Sequence, residues 1–312
     1  MSEGSLAIEA RGLRKEFGPK VAVAALDLAV ERGEVFGFLG PNGAGKTTSV
    51  KMLLGLAAPT AGEASLLGIP ISDPEARRRV GFLPEHFRFH DWLCGAEFLD
   101  LHGKLHHIPR ETRRQRIHDL LELVGLTEAA ERRLGAYSKG MQQRIGLAQA
   151  LINDPEVVFL DEPTSGLDPL GRRMVRDVIR HLRERGVTVF LNSHLLSEVE
   201  VTCDRVAFVA QGIVRKVMDL KHYQEGLLEV DVRVGRVSDD LIAGLQQFSS
   251  RVDVAEGNGN QLTLHLPDDA ALPAIARWIV AQGVDLYALS PRAISLEDLF
   301  VSIVGDKLCE PS

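Results

Sequence analysis

At 312 residues, 45% hydrophobic and 25% charged, the chain has ordinary globular composition and the length for about two domains. Its formal net charge of −7 lacks the basic excess of a general nucleic-acid binder, so no nucleic-acid partner is expected. Cys94, Cys203 and Cys309 have no ligand-like spacing and read as reduced thiols; no apolar run approaches a membrane span, and the N-terminus, with Glu3 and Glu9, has no signal-peptide core.

In chain order, residues 5–39 predict short strands. Leu6, Ile8 and Ala10 alternate, and 21–30 is a second apolar strand closed by Glu31-Arg32-Gly33. Between them Phe17-Gly18-Pro19-Lys20 is a turn with one aromatic residue, open to core packing or to stacking on a base. Val35, Phe36, Phe38 and Leu39 form a buried-type strand, broken by Gly40, Pro41, Asn42, Gly43 and Gly45. From Thr47 the pattern turns helical, with Val50, Leu53, Leu54 and Leu56 on one side.

Residues 59–63 read as a loop, and 64–67 and 80–83 as strands separated by a short helix whose Arg77, Arg78 and Arg79 form a solvated face. Pro84-Glu85 follows directly. Residues 92–105, 110–124 and 142–152 are helical, and His102, His106 and His107 read as solvent-facing rather than metal-binding. The strand 157–160 ends in Asp161-Glu162, and 164–169 is a loop. A helix over 172–185, a strand over 188–191 ending in Asn192-Ser193-His194, a helix over 195–201 and strands over 205–209 and 213–217 follow. This alternation implies a parallel sheet covered on both faces.

Near 219–226 the style changes. Val230, Val232 and Val234 alternate with charges, a helix spans 238–248, and a strand spans 252–255. Asn258-Gly259-Asn260 turns the chain into alternating Leu262, Leu264 and Leu266; a helix over 270–282 and a strand over 284–289 complete a β-α-β-β-α-β order of ferredoxin-like type. Residues 295–304 predict a closing helix. The predicted division is 1–221 for a nucleotide-binding domain, with a helical part at about 86–150, and 222–312 for a small accessory domain.

The chemistry concentrates in strand, glycine loop and helix start: Gly40, Gly45, Lys46 and Thr47 satisfy G-x-x-x-x-G-K-[ST] in its required context. Glycines let backbone N–H groups approach phosphate oxygens, the helix start adds its positive dipole end, Lys46 reaches the terminal phosphates, and Thr47 can ligate Mg²⁺. The stretch resembles the Walker A loop of P-loop nucleotide triphosphatases. Asp161-Glu162 then reads as Walker B, one carboxylate for Mg²⁺ and the next for an attacking water.

Tyr137-Ser138-Lys139-Gly140-Met141-Gln142-Gln143-Arg144 resembles the Leu-Ser-Gly-Gly-Gln signature of ATP-binding cassette (ABC) ATPases. Ser165-Gly166-Leu167-Asp168 resembles their D-loop, His194 their switch histidine, Glu85 stands where their Q-loop glutamine does, and Phe17 where their aromatic A-loop does. The resemblance covers residues 5–220. Lys139 and Met141 depart from the signature and Glu85 puts a carboxylate for an amide; these variants, with Ser295-Leu296-Glu297-Asp298-Leu299-Phe300, resemble ATPase subunits of ABC-2 type exporters.

The resemblance implies an α/β P-loop fold with an N-terminal antiparallel subdomain and a helical subdomain. It implies ATP on Phe17, Gly40, Pro41, Asn42, Gly43, Ala44, Gly45, Lys46, Thr47 and Thr48, covered by Ser138, Gly140 and Asp168 of a head-to-tail partner copy. Mg²⁺ falls to Thr47, Glu85 and Asp161, and catalysis to Glu162, His194 and Lys46. It further implies a separate transmembrane permease, a homodimer or a heterodimer with a second ABC subunit, and work at the cytoplasmic face of the membrane. The alternative is a soluble ABC ATPase of assembly or repair; repair-type members carry a long coiled coil between the motifs and translation-type members two cassettes, and this chain has no such coiled coil and one cassette. A catalytically dead regulatory module is disfavoured by the presence of Lys46, Asp161, Glu162 and His194.

Overall fold

A long hairpin opens the chain in the computed structural model, which describes residues 6–86, 89–220, 228–249, 251–254, 260–267, 269–293 and 296–305. Strands β1 (Leu6–Phe17) and β2 (Lys20–Glu31) pair antiparallel, with Phe17 opposite Lys20. β1 runs seven residues past the expected alternation at Leu6, Ile8 and Ala10, to Phe17. Its register shifts between Ala10 and Leu13, where Gly12 sits at φ 55°, and this bulge breaks the period-2 signal. On the other side of β1 lie β4 (Ala61–Leu66) and β5 (Ile69–Pro70), both antiparallel to their neighbours. β4 thus begins within the expected 59–63 loop.

The central strands are β3 (Val35–Leu39), β6 (Val80–Leu83), β7 (Val157–Asp161), β8 (Thr188–Asn192), β9 (Arg205–Ala210) and β10 (Ile213–Asp219). The sheet order is β5-β4-β1-β2-β10-β9-β3-β8-β7-β6, and the run from β9 to β6 is parallel. Every residue of β3, β7 and β8 is buried, which explains their unbroken apolar runs. Phe190 stands at their centre, with ring centroids 5.9 Å from Phe36, 5.2 Å from Phe38 and 5.1 Å from Phe159.

The helices are α1 (Lys46–Leu53), α2 (Gly95–Leu105), α3 (Arg110–Leu123), α4 (Lys139–Ala150), α5 (Pro169–Glu184) and α6 (Leu196–Thr202). Capping corrects several expected ends. α1 stops at Leu53 because Gly55 turns left-handed, φ 66°, so Leu56 is not on its apolar side but 64% exposed. α2 starts at Gly95, after Cys94 and Glu97 form a capping box. α4 starts three residues before 142, because Ser138 caps it, and α5 starts at Pro169, because Asp168 caps it and proline suits the first turn. Phe98, Leu99, Leu121, Val124, Ile145 and Ile152 give α2–α4 a core of their own. His102 is not solvent-facing: it packs edge-on against Phe98 at 4.6 Å, and burial lowers its pKa. Arg77 likewise turns inward to donate to the Ile71 carbonyl at 2.8 Å.

One compact unit takes in the chain up to Met218 and again from Ile303, and a second spans Asp219–Ser302. The later elements are β11 (Leu228–Val234), α7 (Asp239–Leu245), β12 (Arg251–Val254), β13 (Gln261–Leu266), α8 (Leu272–Ala281), β14 (Leu286–Ala293) and α9 (Leu296–Gly305). The strands form an antiparallel sheet in the order β12-β13-β11-β14, the ferredoxin-like topology. Val230, Val232, Val234, Leu262, Leu264 and Leu266 face Ile275, Ile279, Leu241 and Leu245 in its core. The expected boundary at 221/222, the turn at Asn258-Gly259, Ala255 and Ser295 lie outside the described residues. Among the described residues, no helix is long and apolar enough to cross a membrane.

Candidate functional site at the carboxyl edge of the parallel strands

Because β3, β6, β7 and β8 are parallel, their carboxyl ends meet along one edge. Gly40 follows β3, Glu85 follows β6, Glu162 follows β7, and Ser193-His194 follows β8. Ligands of open parallel sheets bind at this edge. Strand β8 lies between β3 and β7, pairing Asn192 with Phe38 on one side and Asp161 on the other.

The glycine loop is shaped by close backbone approach. A Cβ on Gly40 would stand 2.3 Å from the Val209 carbonyl oxygen, and one on Gly45, at φ 97°, 2.5 Å from that of Ala22. Inside the loop the Ala44 N–H donates to Pro41 O at 3.1 Å, and Ala44 O accepts from Gly212 N at 2.9 Å. Pro41 is half-buried, Asn42, Gly43 and Thr47 are exposed, and Thr48 is half-buried. Gly45 caps α1 without a side-chain hydrogen bond, so the first N–H groups of α1 present an anion site. Lys46 is buried, and its Nζ donates to Gly40 O at 2.6 Å and to Pro41 O at 3.3 Å. Burial lowers its pKa, against the pull of Glu162, Asp161 and Glu85.

Across the edge stand the acids. Asp161 is 3% exposed and accepts at Oδ1 from Asn192 Nδ2 at 2.5 Å. Burial raises its pKa, the Asn192 bond opposes this, and the nearby Glu85 carboxylate adds to it. Glu162 adopts φ 52°, unusual for a residue with a side chain, and its N–H donates to Asn192 O at 2.8 Å. Its Oε2 lies 2.7 Å from His194 Nδ1. A carboxylate only accepts, so Nδ1 carries the proton in this pair. Burial raises the Glu162 pKa, while His194 draws it down. Glu85 is exposed, with His86 Nδ1 3.7 Å away.

The remaining candidates sit at helix starts and at the hairpin tip. Ser138 Oγ accepts from Met141 N at 3.3 Å, and Asp168 Oδ1 from Gly171 N at 2.8 Å. Gly140 lies beside Leu167, and a Cβ on Gly166 would come 2.5 Å from Lys139 Nζ, so the starts of α4 and α5 adjoin. Phe17 is 54% exposed, with Lys15 Nζ 4.9 Å from its ring centre. It ends a strand rather than filling a core. Sequence reading passed over Asn192, which bonds both acidic residues; its only signal is one amide ending an apolar strand. Among the described residues, Gln143 Nε2, Thr164 Oγ1 and Asn192 Oδ1 are buried without a hydrogen-bond partner.

A glycine loop between a parallel strand and a helix, facing an acidic pair two strands away, is the phosphate site of a P-loop nucleotide triphosphatase. Residues 23–165 match the family described as ABC transporter. An uncharacterized ABC transporter ATP-binding protein, sll0415 of Synechocystis sp., is 56% identical over 88% of this chain and 76% of its own length. The Nod factor export ATP-binding protein I of Ralstonia nicotianae is 35% identical over 96% of this chain and 94% of its own. A dimeric post-hydrolysis structure of the ATP-binding cassette MJ0796, bound to ADP and Pi, superposes with a TM-score of 0.62 at 26% identity, over 68% of this chain and 98% of that one. The chain belongs to the ABC transporter ATP-binding proteins. It binds and hydrolyses ATP as members of that family do.

Proposed function

We propose that this ATPase drives export, in a head-to-tail dimer seated on a separate membrane permease at the cytoplasmic face of the membrane. The name of the Nod factor export relative and its near full-length alignment support the exporter reading. The dimeric cassette with ADP and Pi supports the dimer.

Within each site, backbone N–H groups from Gly43 to Thr48 and the Lys46 ammonium hold the β- and γ-phosphates, and Phe17 offers its face to the base. Thr47, Asp161 and Glu85 supply oxygen donors, the set that suits Mg²⁺. The orphaned Asn192 Oδ1 beside Asp161 fits a hydrated cation there. Mg²⁺, when bound, neutralises phosphate charge. Glu162 takes the proton of the attacking water, His194 orients Glu162 and meets the γ-phosphate, and Ser138 and Gly140 of the second copy close the site. Asp168 holds the start of α5 and so the loop that meets the partner.

The observation that carries this reading is the His194–Glu162 pair, 2.7 Å apart, on the same edge as the buried Lys46. Glu162→Gln is expected to retain ATP binding and to lose roughly 10²–10⁴-fold in turnover. Near-native turnover of the purified variant would remove Glu162 from the role of base.

A further inference from the structure

Asn192 is an amide where the strand around it is apolar. Val189, Phe190 and Leu191 precede it in β8, and it is 2% exposed. A buried amide disfavours folding unless both of its ends are hydrogen-bonded. One end is answered, because Nδ2 donates to Asp161 Oδ1 at 2.5 Å. That contact also fixes which way the amide points, since a carboxylate oxygen can only accept and would repel Oδ1. Oδ1 is therefore held as an acceptor, and among the described residues it has no hydrogen-bond partner. Amide geometry puts Oδ1 about 2.2 Å from Nδ2, hence within about 5 Å of the Asp161 carboxylate.

Two features identify the missing donor. The carboxylates of Asp161, Glu162 and Glu85 face a single buried ammonium, Lys46. The site is thus short of positive charge. Mg²⁺ keeps several of its waters when bound by protein carboxylates, and such waters are strong donors. Resting on the Mg·ATP reading of this site, we infer that Asn192 is a positioning residue for the metal. Its Nδ2 orients the Asp161 carboxylate, and its Oδ1 accepts from a water of the Mg²⁺ shell. Partners that orient a metal ligand in this way are worth about 10–100-fold in metal affinity.

The test uses Mn²⁺ as the probe, titrated by electron paramagnetic resonance into the full chain saturated with ADP. Nucleotide binding in EDTA, which relies on the glycine loop and Lys46, reports whether each variant is folded. Asn192→Val should bind ADP in EDTA as the native chain does, yet hold Mn²⁺ about tenfold or more weakly. A packing role alone would not separate these two readouts. Asp161→Asn should also lose Mn²⁺ affinity. Unchanged Mn²⁺ affinity in Asn192→Val, beside a loss in Asp161→Asn, overturns the inference and leaves the Mg·ATP reading standing. Unchanged affinity in Asp161→Asn overturns that reading and the inference with it. Should Asn192→Val fail to bind ADP in EDTA, Asn192→Thr carries the test. Its hydroxyl replaces one of the two bonds, so weakened Mn²⁺ binding is expected and native affinity overturns the inference.

Discussion

Removing the imidazole of His194 tests the central pair most sharply. Glu162 is buried, and its carboxylate is kept ionisable by His194 Nδ1 at 2.7 Å. His194→Ala leaves the desolvation and removes what opposes it, so the Glu162 pKa rises further. A hydrogen bond to a charged group contributes ~1.5–3 kcal/mol. The His194 side chain is 55% exposed, and solvent screening argues for the lower end, ~1.5 kcal/mol. The base works only when ionised, so the acid limb of kcat should move toward higher pH in the variant. The assay is steady-state ATPase at saturating MgATP, with kcat followed from acid to alkaline pH in native and variant chains. Turnover should fall most at low pH and recover as pH rises. A loss of equal size at every pH, with the limb unmoved, would mean that His194 acts on phosphate alone.

The same burial makes a stability prediction of opposite sense. Asp161 is raised in pKa by desolvation, so its contribution to stability is present at low pH and is lost as pH rises through the raised value. Asp161→Asn should therefore raise the melting temperature at neutral pH, a gain that vanishes in acid; an unchanged melt at neutral pH would contradict it. Lys46→Ala should abolish hydrolysis with little loss of stability, since its ammonium is held against desolvation; retained nucleotide binding by titration would remove Lys46 from the phosphate site. Phe17→Ala should raise the KM for ATP more than it lowers kcat, with an unaltered melt because the ring is 54% exposed; an unchanged KM would exclude stacking. Glu162→Gln should sediment as a dimer with MgATP and Glu162→Gln/Ser138→Arg as a monomer that still binds nucleotide; equal dimerisation would exclude Ser138 from the partner's site.

Local motifs were legible because their chemistry is local. The turn at Gly40–Gly45, the N–H groups opening α1 and the reach of Lys46 all lie within one strand-loop-helix unit, so spacing alone specifies them. Fully buried parallel strands announced themselves as apolar runs, and the later β-α-β-β-α-β order matched the antiparallel sheet it forms. Helix starts were misread where a capping side chain overrode the apolar period: Ser138 and Asp168 opened α4 and α5 three residues early. The bulge at Gly12 likewise hid the length of β1.

Family and phosphate loop are written along the chain, because backbone turns, glycine contacts and strand character depend on near neighbours in sequence. The place of β8 between β3 and β7 arises from long-range strand pairing, which no residue of β8 encodes alone. That placement brings His194 onto Glu162 and Asn192 onto Asp161, residues 32 and 31 positions apart in the chain. It also removes their water, and loss of water is what turns two ordinary carboxylates into groups whose protonation and orientation depend on their neighbours.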